Sequence, residues 1–153
     1  MKIRTAVLAD TGLLVELRLD FLRMMNPALS GEAKRAIRMQ LADYYPRHIP
    51  AGDFIAVLAE EERRVLAAAF MVFAERPAGP AFPSGKTATL LNVMTYPSCR
   101  GRGYATLLVE ESIRCAADRG VTAIDLNATP MGETLYRRLG FEPVADTAMR
   151  LRL

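Results

Sequence analysis

The chain has 153 residues, 51% of them apolar, with 20 basic against 17 acidic side chains and a net charge of +3. That length suits one domain with its own core, spanning 1–153, and the slight positive charge admits an anionic small ligand while arguing against a nucleic-acid partner, since the basic residues are scattered and not interleaved with aromatics. Cys99 and Cys115 lack a CxxC spacing and His48 is the lone histidine, which speaks against a metal centre or disulfide framework and for a reducing compartment.

The opening MKIRTAVLAD has no signal-peptide core, and the longest apolar run, residues 65–74, is about half of the ~20 residues that a membrane helix needs. A cytoplasmic protein with no membrane partner is the expectation. Residues 2–6 read as a strand. Asp10 is placed to cap a helix in which Leu13, Leu14, Leu17, Phe21 and Met24 recur at helical spacing. Asn26 and Pro27 break it, and Ser30 caps a second helix that Pro46 should stop. Residues 54–59 and 65–73 read as strands joined by the charged turn EEERR, and the Pro- and Gly-rich residues 75–86 as a loop. Residues 88–95 form a near-continuous apolar strand, the pattern of one covered on both faces. A helix over 104–119 carries Ala105, Leu108, Val109, Ser112 and Ala116 on one face and closes at Gly120. Residues 122–128 are a buried strand, 131–139 a short helix ended by Gly140, and Phe141 begins a further strand. The alternating TAMRLRL, 147–153, reads as an edge strand. The order predicts an α/β (α+β) domain around one mixed sheet of six to seven strands with about four helices.

Between the strand at 88–95 and the helix from 104 lies RGRGYA. Helix N-termini leave N–H groups unpaired and carry partial positive charge, so an anion can rest there. Gly101 and Gly103 let a ligand approach the backbone, and Arg100 and Arg102 add charge. The dinucleotide pattern GxGxxG is excluded because its third glycine position is Thr106, and no GxxxxGK[ST] occurs.

The stretch resembles the acetyl-CoA loop of the GNAT N-acetyltransferases, [QR]-x-x-G-x-[GA], with Arg100, Gly103 and Ala105 at its fixed positions. Downstream, Leu135, Tyr136, Gly140 and Phe141 match the family's L-Y-x-x-x-G-F, Pro97 stands three residues before the Arg, and IRTAVLADTGLLVELR is similar to its first strand and helix. The resemblance covers nearly the whole chain. Two positions depart from it: Thr129 stands where Asn is frequent, with Asn127 two residues earlier, and the strand at 88–95 lacks the acidic residue that some members use as base.

The resemblance implies a GNAT fold whose central strands splay at the acetyl-CoA site. The pyrophosphate would meet Arg100, Gly101, Arg102, Gly103, Tyr104 and Ala105. The pantetheine would pair along Val93, Met94 and Thr95 and near Asn127, a backbone N–H near Met94 would steady the oxyanion, and Tyr136 would protonate the departing thiolate. It further implies acetyl transfer from acetyl-CoA, without a metal, to a primary amine of a small molecule or peptide by direct attack, in a monomer or homodimer. The missing carboxylate leaves a rival, a non-catalytic acyl-CoA-binding regulatory module. Other candidates have plainer readings: Cys99 as a loop thiol, His48 as surface or satisfied structure, Asp125 bonded to a loop, Arg137 and Arg138 as a solvated face instead of partners for the CoA 3′-phosphate, and Met24–Met25 as core near the acceptor site.

Overall fold

The computed structural model describes all residues from Met1 to Leu153. In chain order it runs β1 (Lys2–Thr5), α1 (Thr11–Met25), α2 (Gly31–Ala51), β2 (Phe54–Glu61), β3 (Arg64–Glu75), β4 (Lys86–Thr95), α3 (Tyr104–Ala117), β5 (Ala123–Asp125) and α4 (Glu133–Arg138), with single 3-10 turns at Leu8–Asp10 and Pro97–Cys99. The five strands lie in sequence order in one sheet. All pairings are antiparallel except β4 with β5. No helix is long and apolar enough to cross a membrane.

Alternation along β2 and β3 sorts the core into two layers. Phe54, Ala56 and Leu58 of β2, with Ala68 and Phe70 of β3, pack against Leu14, Leu17, Leu41 and Tyr45 of α1 and α2. The intervening residues, Ile55, Val57, Ala67, Ala69 and Met71, face Leu108, Val109 and Ala116 of α3. Leu108 and Val109 are fully buried, a contribution of about 1.5–3 kcal/mol each. Ser112, also buried, returns its hydroxyl to Leu108 O within the helix at 2.7 Å, so α3 seats on the sheet with no unmet polar group.

Several boundaries differ from the sequence expectation. Asp10 does not cap α1: its carboxylate accepts from Val7 N at 2.7 Å and chelates Arg4. Ser30 does cap α2, accepting from Ala33 N at 3.1 Å. Pro46 fails to stop that helix, which runs through Pro46 and Pro50 to Ala51. Both prolines lie on the exposed face, where water can meet the carbonyls they leave unpaired, while buried Tyr45 holds the opposite face to the core. The β2–β3 turn is Glu62–Arg63, both at positive φ, a tight hairpin turn formed without glycine.

The sheet has five strands, not six or seven. The expected strands at Phe141 and 147–153 do not form. The neighbouring edge strand, β5, is only Ala123–Asp125, and Met149, Leu151 and Leu153 remain exposed despite their alternation. Likewise β5 is shorter than 122–128 and α4 shorter than 131–139.

Candidate active site

The β4–β5 pairing ends early. Their register covers only Thr87↔Ala123, Ala88↔Ile124 and Thr89↔Asp125. From Leu90 to Thr95, β4 stays bonded to β3 on one side and is open on the other. Within this stretch the register slips: Ala68 faces Met94 and Phe70 faces Leu91, so β4 carries one residue more than β3. Asn92 takes up the slip at φ +55°. The bulge changes which face each side chain meets. Before it Ala88 and Leu90 pack toward α3. After it Val93 takes that face, and Met94 turns toward α1 and α2.

At the end of β4 the chain passes through the 3-10 turn to the glycine loop. Gly101 and Gly103 adopt φ of +75° and +78°, and a Cβ at either would meet no heavy atom within 4 Å. Glycine is thus required there by the left-handed backbone, and the space before the loop is open. The first bond of α3 runs from Leu107 N to Gly103 O. The N–H groups of 101–106 have no acceptor in the chain, the usual state of a helix start. Arg100 and Arg102 are exposed beside them, and Arg100 Nε donates to Thr95 O at 3.2 Å, which draws its side chain back along the end of β4.

Tyr136 enters from α4. Its ring packs edge-on to Phe141 at 5.8 Å, and Gly132 lies so close that a Cβ there would stand 3.2 Å from Tyr136 Cε2. The N-terminus of α4 is anchored by Thr129, whose carbonyl accepts from Gly132 N and Glu133 N at 3.0 Å each. The Tyr136 hydroxyl makes no hydrogen bond to protein, and burial pushes the phenol pKa up, so it stays protonated through neutral pH.

These parts enclose one cavity of about 360 Å³. Val93, Met94, Thr95, Arg100, Gly101, Arg102, Gly103, Tyr104, Ala105, Asn127 and Tyr136 all line it. So do residues with no place in the sequence-based site: Leu90, Leu91, Asn92, Thr106, Met131, Gly132 and Leu135, with Phe21 on the α1 side. Met24 and Met25 close that side as well, exposed at the end of α1 and not packed in the core as expected. Asn92 left a signal in the sequence, a polar residue inside an apolar strand. Cys99 is buried in the wall. The other candidates lie elsewhere. His48 bonds Asp53 through Nδ1 at 2.9 Å and stacks on Tyr44. Asp125 stands 3.8 Å from Arg76, and Arg137 pairs with Glu133. No Asp, Glu or His lines the cavity, and no cluster of three His, Cys, Asp or Glu is placed to hold a metal ion.

Between β4 and the 3-10 turn, Tyr96 ties the end of β4 to α1 by donating to Asp20 Oδ2 at 2.6 Å; burial and that carboxylate hold its pKa well above the ordinary tyrosine value.

A strand opened at a bulge thus faces the unpaired N–H groups of a glycine loop at a helix start. Residues 52–143, from β2 through α4, match the family model of the acetyltransferase (GNAT) domain, and the chain belongs to that family. Solved structures share the fold. A predicted acetyltransferase with acetyl-CoA from Clostridium acetobutylicum aligns at TM-score 0.86 and 23% identity, over 98% of this chain and 95% of that one. A GCN5-related N-acetyltransferase from Ralstonia eutropha aligns at 0.83 and 24%, over 98% and 97%. An aminoglycoside N-acetyltransferase in complex with CoA aligns at 0.73 and 18%, over 99% and 93%. No curated protein matches the chain by sequence.

Proposed function

We propose that the chain transfers the acetyl group of acetyl-CoA to a primary amine of a small molecule or peptide, by direct attack while both substrates are bound. The observation that carries this is the coincidence in one cavity of the open edge of β4, the unpaired N–H groups of the loop and the free Tyr136 hydroxyl. Acetyl-CoA supplies an activated thioester, whose carbonyl carbon takes the amine and whose sulfur leaves as thiolate. The residues present fit it: glycines with open space before them, two exposed arginines beside them, and an unpaired strand edge leading inward.

Residues 100–105 would hold the pyrophosphate by backbone N–H groups and charge. The edge at Val93–Thr95 would take the amide-bearing pantetheine as an added strand, with Asn127 on its far side. A backbone N–H near Met94 would donate to the carbonyl oxygen as negative charge develops there. Tyr136, kept protonated by burial, would give its proton to sulfur. With no carboxylate or imidazole in the wall, the amine would have to attack in its neutral form and shed its proton to solvent.

The absence of a base in the wall also favours one second reading, an acyl-CoA-binding regulatory module without turnover. Measuring CoA release from acetyl-CoA with a panel of primary amines decides between them. Release that requires an amine, with the acetylated amine as product, supports transfer. Tight acetyl-CoA binding with no release across the panel supports the module.

A further inference from the structure

Asn92 sits in the wall of the same cavity with a property that acetyl-CoA binding does not use. It is 3% exposed, and its Nδ2 is the one buried side-chain polar atom of the chain without a hydrogen-bond partner. The orientation of its amide is set by Arg18 of α1, whose Nη1 donates to Oδ1 at 3.2 Å. A guanidinium can only donate, so the amide cannot turn its NH₂ toward Arg18. The donor is left unmet and shielded from solvent, so a ligand atom reaches it only where the wall gives way.

Arg18 is itself unbalanced. Arg4, the only other arginine that is not exposed, is clamped by Asp10 and Glu60, but no carboxylate lies within ion-pair distance of Arg18. Its guanidinium stands 5.7 Å from the Phe21 ring, and burial lowers its pKa. A cation bonded at Oδ1 polarises the amide and strengthens its N–H as a donor. Around it the wall is apolar, formed by Phe21, Met24 and Met25. The two methionines are unbranched and can shift to admit a ligand atom.

We propose that Asn92 selects the acceptor: its Nδ2–H takes the α-carboxylate of an amino acid with an apolar side chain, whose α-amine is the one acetylated. This rests on acetyl transfer at the cavity. An anionic oxygen supplies both the missing partner of Nδ2 and the counter-charge that Arg18 lacks, and Phe21, Met24 and Met25 receive the side chain. A polycationic amine finds no carboxylate in this wall.

The test compares leucine, methionine and phenylalanine with their decarboxylated amines as acceptors, in wild type, Asn92→Asp and Arg18→Met, with acetyl-CoA binding followed by calorimetry. Aspartate tolerates the left-handed backbone comparatively well and offers Arg18 an ion pair, but removes the N–H and adds repulsion. The readout is the change on mutation in the ratio of kcat/KM, amino acid over amine, which the basicities of the amines do not affect. For Asn92→Asp that ratio should fall about ten- to a hundredfold, through KM for the amino acid, as for loss of a hydrogen bond to a charged group. Arg18→Met, which retains the bulk of the side chain, should lower the ratio as well. Ratios unchanged in either folded variant, or a wild type that acetylates the amines and not the amino acids, overturn the proposal. Acetyl-CoA binding with none of these compounds acetylated rejects the amino-acid class and leaves acetyl transfer to the wider amine panel. No acetyl-CoA binding at all removes the transferase reading, and this proposal with it.

Discussion

Replacing Gly103 by alanine separates the two things a left-handed glycine can do. At φ +78° a Cβ costs about 1–2 kcal/mol of backbone strain, but it meets no heavy atom within 4 Å, so nothing is added for a clash. Set against a stability of roughly 5–15 kcal/mol, the variant stays folded, with Tm lower by about 2–8 °C for a chain of this size. Binding should suffer more. The added methyl occupies the open space before the N–H groups of 101–106, where an anion must come within about 3 Å of nitrogen. Losing one charge-assisted hydrogen bond there is worth about 1.5–3 kcal/mol, or roughly ten- to a hundredfold in Kd for acetyl-CoA. Gly52 provides the control: φ +79°, also with nothing within 4 Å, at the C-terminus of α2 and outside the cavity. Gly52→Ala should melt earlier by a similar amount and bind acetyl-CoA like wild type. Calorimetric titration of both variants is the assay. Equal affinities in the two would refute the assignment of the loop.

Salt should weaken CoA more than pantetheine, because Arg100 and Arg102 are exposed and are screened as the Debye length falls from about 8 Å at 0.15 M to about 3 Å at 1 M; equal sensitivity of the two ligands would count against phosphate recognition. In the pH profile, kcat/KM should rise about tenfold per unit below the acceptor's own pKa, since no base lines the cavity. It should fall only above the ordinary tyrosine value of about 10, because burial raises the Tyr136 phenol and the protonated form is the active one; a falling limb near neutrality would contradict this. Arg4 forks onto Asp10 at 2.7 and 2.9 Å and onto Glu60 at 2.7 and 2.9 Å, and its hydrogen bonds hold the Asp10 carboxyl below the usual range. A depressed carboxyl pKa stabilises the fold above the unfolded value of about 4, and the contribution is lost as pH falls through the folded value. Arg4→Met should therefore cost about 2 kcal/mol at pH 7, less than a fully buried pair because these groups are partly exposed, and the gap from wild type in thermal melts should narrow below pH 4.

Much of this architecture is legible in the sequence because one physical rule governs each part. The apolar runs of β2 and β3 and the stripe on α3 have the periods of buried strand and amphipathic helix, and the loop and α4 carry fixed motif positions. What was hidden has its own causes. β4 is covered on both faces, so its run LLNVMT shows no alternation, and the extra residue at Asn92 leaves no break in a pattern that was never periodic. Pro46 in α2 reads as a stop because its harm is local, whereas the hold of Leu41 and Tyr45 on the core is tertiary. The C-terminal TAMRLRL has the alternation of a strand, but alternation alone supplies no pairing partner, and the neighbouring edge strand β5 has only three residues. Asp10 suits a cap by residue type, yet Arg4 and Val7 N compete for its oxygens and win.

Proton donation by Tyr136 to the leaving thiolate is tested most directly by steady-state kinetics and a melting curve on Tyr136→Phe, with acetyl-CoA and any amine the wild type acetylates. The hydroxyl bonds to nothing in the protein, and the ring packs on Phe141 and against Gly132, so removing the oxygen leaves the packing in place. A proton donated to sulfur is needed as the C–S bond breaks and not in the bound substrate, so kcat should fall while KM for acetyl-CoA holds. General-acid assistance typically contributes 10²–10⁴-fold, and because a thiolate is already a fair leaving group the loss should lie at or below the low end, roughly tenfold to a few hundredfold. A proton-donating hydroxyl gives that fall with Tm unchanged and with the alkaline limb of the pH profile gone. A kcat equal to that of wild type beside a lowered Tm would make Tyr136 a packing residue and contradict its catalytic role.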